Sequence, residues 1–227
     1  MVEIPQNEIK VLPRNLPNIG VCETQLPRDI IDNIWDLIEE AKKNPQDMKN
    51  ELAGNIKSSL ALDMQSPLLK NFVSYVLPTL IDTHIKSFGS PWRANSNPDG
   101  NNFNLEKLWV NFQRQHEFNP PHDHSDELSF VAYLKIPKEI KEEYDNYKGK
   151  SSGPGGISFI YGECNRQAIT YQAHFPEEKD LFIFPAWLKH YVAPFKSDVE
   201  RISVSGNITS SIPIKNLQPI EPKNEEK

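Results

Sequence analysis

From residue 105 onward, the chain is a series of short strand-like segments separated by turn signals, and this pattern constrains the fold most. The segments are rich in aromatic and β-branched residues, and most are too short to be helices. They are residues 108–113, 128–136, 157–161, 168–173, 181–184, 191–192 and 202–208. Short strands at such spacing predict a β-sandwich or jelly roll.

The N-terminal part has a different periodicity, typical of helices. Residues 27–43 and 67–88 carry apolar side chains at helical spacing, and Pro78 is expected to kink or divide the second helix. His84 lies on this second helix, where we expect a packed or surface histidine rather than a metal ligand. The predicted fold class is therefore mainly β with N-terminal helices (α+β).

A length of 227 residues fits a single domain. We predict a helical support region over 1–104, ending in a loop at 93–104, then a jelly-roll core over 105–212 and a charged tail over 213–227. Residues 137–156 are charged and then glycine-rich, which predicts a mobile insertion at the rim of the sheet.

The composition argues against several classes of partner. The net charge is −6, and no basic tract marks a nucleic-acid-binding surface. No apolar run approaches the roughly 18 residues that span a bilayer, which predicts no membrane partner. The two cysteines are far apart, and the first residues do not resemble a signal peptide. We therefore expect a cytoplasmic protein with free thiols.

The histidines of the segment His122-Asp123-His124 form a candidate metal site. On an extended segment alternate side chains share one face, so His122, His124 and Asp126 would point the same way. Imidazole and carboxylate ligands together suit iron(II). His190 follows another strand-like segment and would supply a distant ligand. The pattern thus predicts an iron site between two strand ends.

Arg201 and Ser203 form a candidate anion site on the last predicted strand. A guanidinium binds a carboxylate through two parallel hydrogen bonds, and a hydroxyl can add a third. The alternative is a surface salt bridge to Glu200 or Asp198. The position of Arg201, eleven residues after His190, favours an inward arginine that meets an acidic co-substrate.

Two parts of the sequence carry a family resemblance. Residues 119–125, followed by 128–134, resemble the His-x-His and strand signature of the 2-oxoglutarate- and iron(II)-dependent oxygenases, specifically a prolyl-hydroxylase-like group common in marine phages and bacteria. Residues 184–190 and 201–207 resemble the second half of that signature. The resemblance covers Trp109 to Asn207. It implies a double-stranded β-helix (jelly roll) within one oxygenase domain over 1–227, with 105–212 as its catalytic core.

The resemblance also implies the cofactors iron(II) and 2-oxoglutarate, with O2 as co-substrate. Iron would be chelated by the keto acid end of 2-oxoglutarate, and the far carboxylate would reach Arg201 and Ser203. Tyr133 lies on the strand after the histidines, where it either donates a hydrogen bond to the co-substrate or packs in the core. The implied reaction is hydroxylation of a C–H bond, in the cytoplasm of a bacterium or a phage-infected host.

The third metal ligand has two candidates at this point. His124-Ser125-Asp126 spells the His-x-Asp motif of the wider superfamily, which makes Asp126 a ligand. His122 and His124 match the closer group, with His124 standing where the carboxylate normally stands. The short distance from His122 to the next strand also resembles aspartyl/asparaginyl hydroxylases, which lack that carboxylate. The favoured set is His122, His124 and His190, with Asp126 as the alternative.

Three functions remain open from the sequence. The first is hydroxylation of a protein or peptide side chain, with proline as the best single guess. The second is a 2-oxoglutarate-independent, three-histidine iron dioxygenase of cupin type that acts on a small molecule. A cupin-type dioxygenase does not need an arginine at position 201. Arg201 therefore discriminates between the first function and the second. The third is a non-catalytic jelly-roll structural or binding protein, which would not bind iron tightly.

Overall fold

The computed structural model describes residues 19–89, 103–149, 152–162 and 171–210. Residues up to 102 of the loop expected at 93–104 lie outside these ranges, and so does the tail expected at 213–227. Residues 168–170 of the strand expected at 168–173 and residues 211–212 of the expected core also lie outside them. The strands are β1 (Cys22–Gln25), β2 (Ser59–Ala61), β3 (Phe103–Gln113), β4 (Asn119–His122), β5 (Leu128–Lys135), β6 (Ile157–Ile160), β7 (Tyr171–His174), β8 (Asp180–Pro185), β9 (Lys189–Val192) and β10 (Arg201–Ser210). The helices are α1 (Arg28–Lys43), α2 (Leu77–Phe88) and α3 (Lys138–Asp145).

Two antiparallel sheets form the framework. Among the described residues, the larger sheet has the order β1-β8-β5-β10-β3-β2 and the smaller has the order β4-β9-β6-β7. From β3 onward, the chain passes back and forth between the two sheets. This winding is a double-stranded β-helix, and it confirms the predicted jelly roll with N-terminal helices.

The N-terminal region also contributes strands, which the sequence analysis did not predict. β1 pairs with β8, and β2 pairs with β3, so each extends one edge of the larger sheet. Both strands are only three or four residues long. Such short segments carry too few alternations of polar and apolar side chains to stand out in a sequence.

Alternation along the central strands divides the core in two. One face of the larger sheet carries Leu108, Val110, Ile202 and Val204, which pack with the helices. α1 begins at Arg28 and presents an apolar stripe to this face, which confirms the helix predicted over 27–43. The opposite face looks toward the smaller sheet. Its apolar side chains form a second cluster, which includes Val131, Tyr133, Ile157, Phe159, Phe182, Phe184, Leu188 and Val192.

The helical region predicted over 67–88 is divided, as the proline in it suggested. A 3₁₀ turn at Pro67–Leu69 is followed by a π-helical turn at Phe72–Val76 and then by α2. Pro78 lies in the first turn of α2, where a missing N–H group is tolerated. On α2, His84 is buried, and its Nε2 lies 3.0 Å from the carbonyl oxygen of Gly20. It is a packed histidine.

The insertion predicted to be mobile over 137–156 instead contains α3, and the prediction was wrong for this part. The Glu143 carboxylate accepts hydrogen bonds from the backbone N–H groups of Lys196 and Ser197 and from the Ser197 hydroxyl. Ile140 is fully buried on the same helix. These contacts join distant parts of the chain, so the charged composition alone did not reveal them. No helix within the described ranges is long and apolar enough to cross a membrane.

Candidate active site

The candidate metal site begins with a cross-strand pair of histidines in the smaller sheet. β4 and β9 are antiparallel, and their register places His122 opposite His190. The two ring centroids are 4.3 Å apart. Each Nδ1 lies close to a backbone carbonyl oxygen, at 2.7 Å from Pro120 for His122 and at 2.8 Å from Leu188 for His190. A carbonyl can only accept, so Nδ1 carries the proton and Nε2 keeps its lone pair for a metal.

His124 completes the cluster from just beyond the end of β4. Its backbone N–H donates to the carbonyl oxygen of Ala186, which holds it against the turn that leads into His190. Candidate ligand atoms of His122, His124 and His190 all lie within 4.8 Å of one another. Nitrogen atoms at this separation can converge on one transition-metal ion. The structure thus brings together the three histidines that the sequence singled out.

The local environment keeps two of these imidazoles neutral. Burial, followed by the charge of His122, lowers the pKa of His124 to about 4. Burial is also the main cause for His190, whose pKa is lowered to about 3, and the charge of His122 adds to the effect. Metal binding requires neutral imidazole, so both side chains are in the ligating form at neutral pH.

Asp126, the alternative ligand, is engaged elsewhere. β4 ends at His122, so strand alternation does not continue to residue 126. The Oδ2 atom of Asp126 accepts a 2.7 Å hydrogen bond from Nδ2 of Asn207, whose Oδ1 accepts from the Ser129 hydroxyl. Asp123 is exposed at the rim of the cavity. Asp126 is therefore not part of the histidine cluster.

Arg201 lies at the start of β10 with only 3% of its surface exposed. Its Nη1 donates a 2.6 Å hydrogen bond to the carbonyl oxygen of Gly155, and its Nε has no hydrogen-bond partner among the described residues. The alternative surface salt bridge to Glu200 is not formed, because Glu200 pairs with Arg114 instead. A buried guanidinium with an unused donor calls for an anion.

Tyr133 and Ser203 flank the guanidinium on neighbouring strands. The register places Ser203 opposite Tyr133, and the Arg201 guanidinium carbon lies 5.4 Å from the centre of the Tyr133 ring. The Tyr133 hydroxyl is buried and has no hydrogen-bond partner in the part of the chain that the structure describes. Burial raises the pKa of Tyr133 to about 12, despite the opposing effect of Arg201, so the phenol remains a donor at neutral pH.

The three histidines and these three residues line one cavity between the sheets, with a volume of about 170 Å³. Its outer wall includes residues 51–54, which precede β2. Sequence reasoning missed this wall and also missed Asn111, a buried polar residue on β3. The sequence signal for Asn111 is its position between the apolar residues Val110 and Phe112. Trp109 is buried, with its ring centroid 6.1 Å from that of His124.

Comparison with known families now identifies the chemistry. Residues 107–207 match the family described as "Putative 2OG-Fe(II) oxygenase". Over this segment, the chain is similar to the 2-oxoglutarate- and iron(II)-dependent oxygenases. The matched segment contains the three histidines His122, His124 and His190, together with Tyr133, Arg201 and Ser203. No curated protein sequence matches the chain. The similarity to this oxygenase family favours the 2-oxoglutarate-dependent enzyme over the 2-oxoglutarate-independent and non-catalytic alternatives.

Solved structures of this oxygenase fold are similar at low sequence identity. A Pseudomonas putida prolyl-4-hydroxylase is 13% identical, with a TM-score of 0.52 over 85% of this chain and 93% of that chain. HygX from Streptomyces hygroscopicus, solved with nickel and 2-oxoglutarate bound, is 9% identical, with a TM-score of 0.52 over 85% and 83%. A prolyl hydroxylase from Trichoplax adhaerens, in complex with a hypoxia-inducible-factor peptide fragment, is 12% identical, with a TM-score of 0.52 over 84% of each chain.

The oxygenase therefore uses iron(II), 2-oxoglutarate and O2, and the donor groups of the cavity fit this cofactor set. Three histidines suit a divalent iron ion, and burial keeps two of them, His124 and His190, in the neutral form. A buried guanidinium and a buried phenol with unpartnered donor atoms suit a carboxylate. The more specific placement in a phage or marine-bacterial group stays a prediction.

Proposed function

We propose that this oxygenase hydroxylates a C–H bond of a protein or peptide side chain, with proline as the favoured residue. In this proposal His122, His124 and His190 hold iron(II), while Arg201, Ser203 and Tyr133 hold the far carboxylate of 2-oxoglutarate. Residues 105–212 act as the catalytic core of a single domain, and residues 1–104 brace it.

The size of the cavity carries the substrate part of the proposal. Pockets that bury whole drug-sized ligands enclose roughly 300–1,000 Å³, whereas this cavity has about 170 Å³ and must also hold the co-substrate. Only the reactive end of a substrate then enters, and the rest lies outside. A side chain presented by a peptide fits this requirement. The likeness in fold to two prolyl hydroxylases supports the same choice.

The residues of the chain perform distinct tasks in this scheme. Bound iron(II) and 2-oxoglutarate supply the activation of O2. Arg201 presents its Nε edge to the co-substrate because Nη1 is already bound to Gly155. Tyr133 donates as a neutral phenol. The apolar side chains Val131 and Phe184 line the same cavity and limit the access of water.

The cofactor part is tested by anaerobic titration of the metal-free protein with iron(II) and 2-oxoglutarate, following the visible charge-transfer absorption of the chelate. We expect the band in the natural protein, no band in His190→Ala and a much higher 2-oxoglutarate requirement in Arg201→Ala. Iron binding without a band would contradict the assignment of the co-substrate site. An undiminished band in His190→Ala would contradict the metal site.

The substrate part is tested with a panel of proline-containing peptides, measured by mass spectrometry and by release of succinate. We expect a peptide that gains one oxygen atom with matching succinate, and no reaction with His190→Ala. A matched panel in which alanine replaces each proline controls for other residues. Hydroxylation that persists in the alanine panel would exclude proline. Turnover with small molecules alone would exclude a peptide substrate.

A further inference from the structure

Asn111 is a buried polar residue of the cavity with no task in the scheme above. It lies on β3 with 6% of its surface exposed, and it lines the same cavity as the histidines and Arg201. Its neighbours on the strand, Val110 and Phe112, point to the opposite face and pack in the helix-covered core. An amide on the inner face of a sheet needs polar partners, because burying it without them is costly.

One end of this amide is already bound. The Ser59 hydroxyl on β2 donates a 2.7 Å hydrogen bond to Oδ1 of Asn111. Ser59 is itself 2% exposed, so this pair is shielded from bulk water. Within the described part of the chain, Nδ2 of Asn111 has no hydrogen-bond partner. Because Ser59 holds the oxygen end, the two N–H donors of the amide remain for a ligand in the cavity.

The register of the larger sheet shows where this donor lies relative to the rest of the site. Ser203 stands opposite Asn111 on one side and opposite Tyr133 on the other, so the three form one row across the sheet. The next row on this face contains Trp109, whose ring contacts His124. Asn111 therefore lies between the Arg201 end of the cavity and the metal end. An elongated dicarboxylate that joins the two ends must pass this row.

We infer that Asn111 donates a hydrogen bond from Nδ2 to bound 2-oxoglutarate, and that Ser59 is a positioning residue that fixes the orientation of the amide. This inference rests on the proposed function, which places the co-substrate between Arg201 and the histidines. It gives β2 a role in the site, although β2 precedes the segment 107–207 that matches the family. The edge strand would thus orient a donor inside the catalytic core.

The direct test is a 2-oxoglutarate titration of the iron(II) protein without O2, followed by the charge-transfer absorption and, with manganese(II), by calorimetry. A hydrogen bond to a charged ligand contributes enough that Asn111→Ala should weaken binding by about tenfold or more. Asn111→Asp has nearly the same shape but presents an acceptor and a negative charge. It should weaken binding further than alanine does.

Ser59→Ala tests the positioning role, and Ser129→Ala is its matched control. Both hydroxyls are buried and donate to Oδ1 of an asparagine that lines the cavity. The asparagine beside Ser129 is Asn207, whose Nδ2 is already bound to Asp126. We expect weaker 2-oxoglutarate binding, about threefold to fivefold given the partial loss of one charged hydrogen bond, in Ser59→Ala but not in Ser129→Ala. Ser59→Ala should add nothing further in the Asn111→Ala background.

The outcomes separate this inference from the proposed function. If the natural protein binds 2-oxoglutarate and Arg201→Ala does not, the co-substrate site stands. Unchanged affinity in Asn111→Ala and Asn111→Asp would then overturn the role of Asn111 alone. Equal effects of Ser59→Ala and Ser129→Ala would overturn the positioning role. Melting temperatures measured beside each titration identify variants that fail to fold, and Asn111→Ser then replaces Asn111→Ala.

Discussion

Arg201 and Gly155 are joined by a 2.6 Å hydrogen bond from Nη1 to the backbone carbonyl oxygen. Gly155 has a φ of 71°, and a Cβ atom at this position would come within 2.4 Å of the Cγ2 atom of Ile140 on α3. The helix thus packs against the turn that holds the guanidinium. The hydrogen bond to Gly155 orients the Arg201 guanidinium and leaves its Nε available for a ligand.

Replacing Gly155 by alanine should therefore weaken 2-oxoglutarate binding. The new Cβ collides with Ile140 and displaces the carbonyl that orients Arg201. We expect about a tenfold loss of affinity for 2-oxoglutarate, comparable to losing a hydrogen bond to a charged group, with iron affinity unchanged. The measurement is the anaerobic titration of the iron(II) protein.

Gly89→Ala is the control for Gly155→Ala. Gly89 also has a positive φ, of 87°, but among the described residues nothing lies within 4 Å of an added Cβ. Both variants should lose about 1–2 kcal/mol of stability from backbone strain, and only Gly155→Ala should bind 2-oxoglutarate more weakly. Ile140→Leu removes the Cγ2 methyl and should partly restore affinity to Gly155→Ala. Equal affinities in both glycine variants would contradict the link to Arg201.

The choice of third metal ligand gives a second prediction. His124→Ala should weaken iron(II) binding by more than about a hundredfold, since even the loss of a residue that only supports a ligand costs 10- to 100-fold. Asp126→Asn should change iron affinity by less than about threefold, because Asp126 is bound to Asn207 and lies outside the histidine cluster. Competition with a metal-chelating dye measures both affinities. A larger loss of iron affinity in Asp126→Asn than in His124→Ala would show that Asp126 is the third ligand.

His84 gives a prediction about pH. Burial lowers its pKa from 6.5, with partial opposition from the hydrogen bond to Gly20. The unfolded chain therefore binds more protons than the folded chain as pH falls below about 6.5, and the free energy of unfolding decreases in that range. The free energy of unfolding, measured with urea on metal-free protein, should depend less on pH between 7 and 5.5 in His84→Gln than in the natural protein. The control variant is His116→Asn, which removes an exposed histidine instead of a buried one.

Glu143 gives a prediction about the anchoring of α3. Burial raises the pKa of Glu143, but hydrogen bonds from Ser197 and Lys196 outweigh this and lower it below the usual 4.5. The ionised carboxylate therefore stabilises the fold above pH 4.5, and this contribution is lost as pH falls through the lowered pKa. Glu143→Gln should speed amide hydrogen exchange at Lys196 and Ser197 at pH 7. The exposed neighbour Glu142, changed to glutamine, should not. Unchanged exchange in both variants would show that the carboxylate does not hold this loop.

Much of the fold followed from local patterns. The helix over 27–43, the division near Pro78 and the main strands from β3 onward all reflect side-chain periodicity or the chemistry of proline, which act over a few residues. The short edge strands β1 and β2 and the helix α3 depend on distant partners. Their sequences carry weak local signals, so they were missed or predicted as a mobile insertion.

The site shows the same division between local and long-range information. The candidate ligands could be predicted from local sequence: three histidines near two strand ends, and an arginine and a serine on one face of a later strand. The hydrogen bonds from Asn207 to Asp126, from Arg201 to Gly155 and from Ser59 to Asn111 became visible only in the folded chain. These contacts join residues 46 to 81 positions apart. Such pairings arise when sheets close on each other, and no local pattern encodes them.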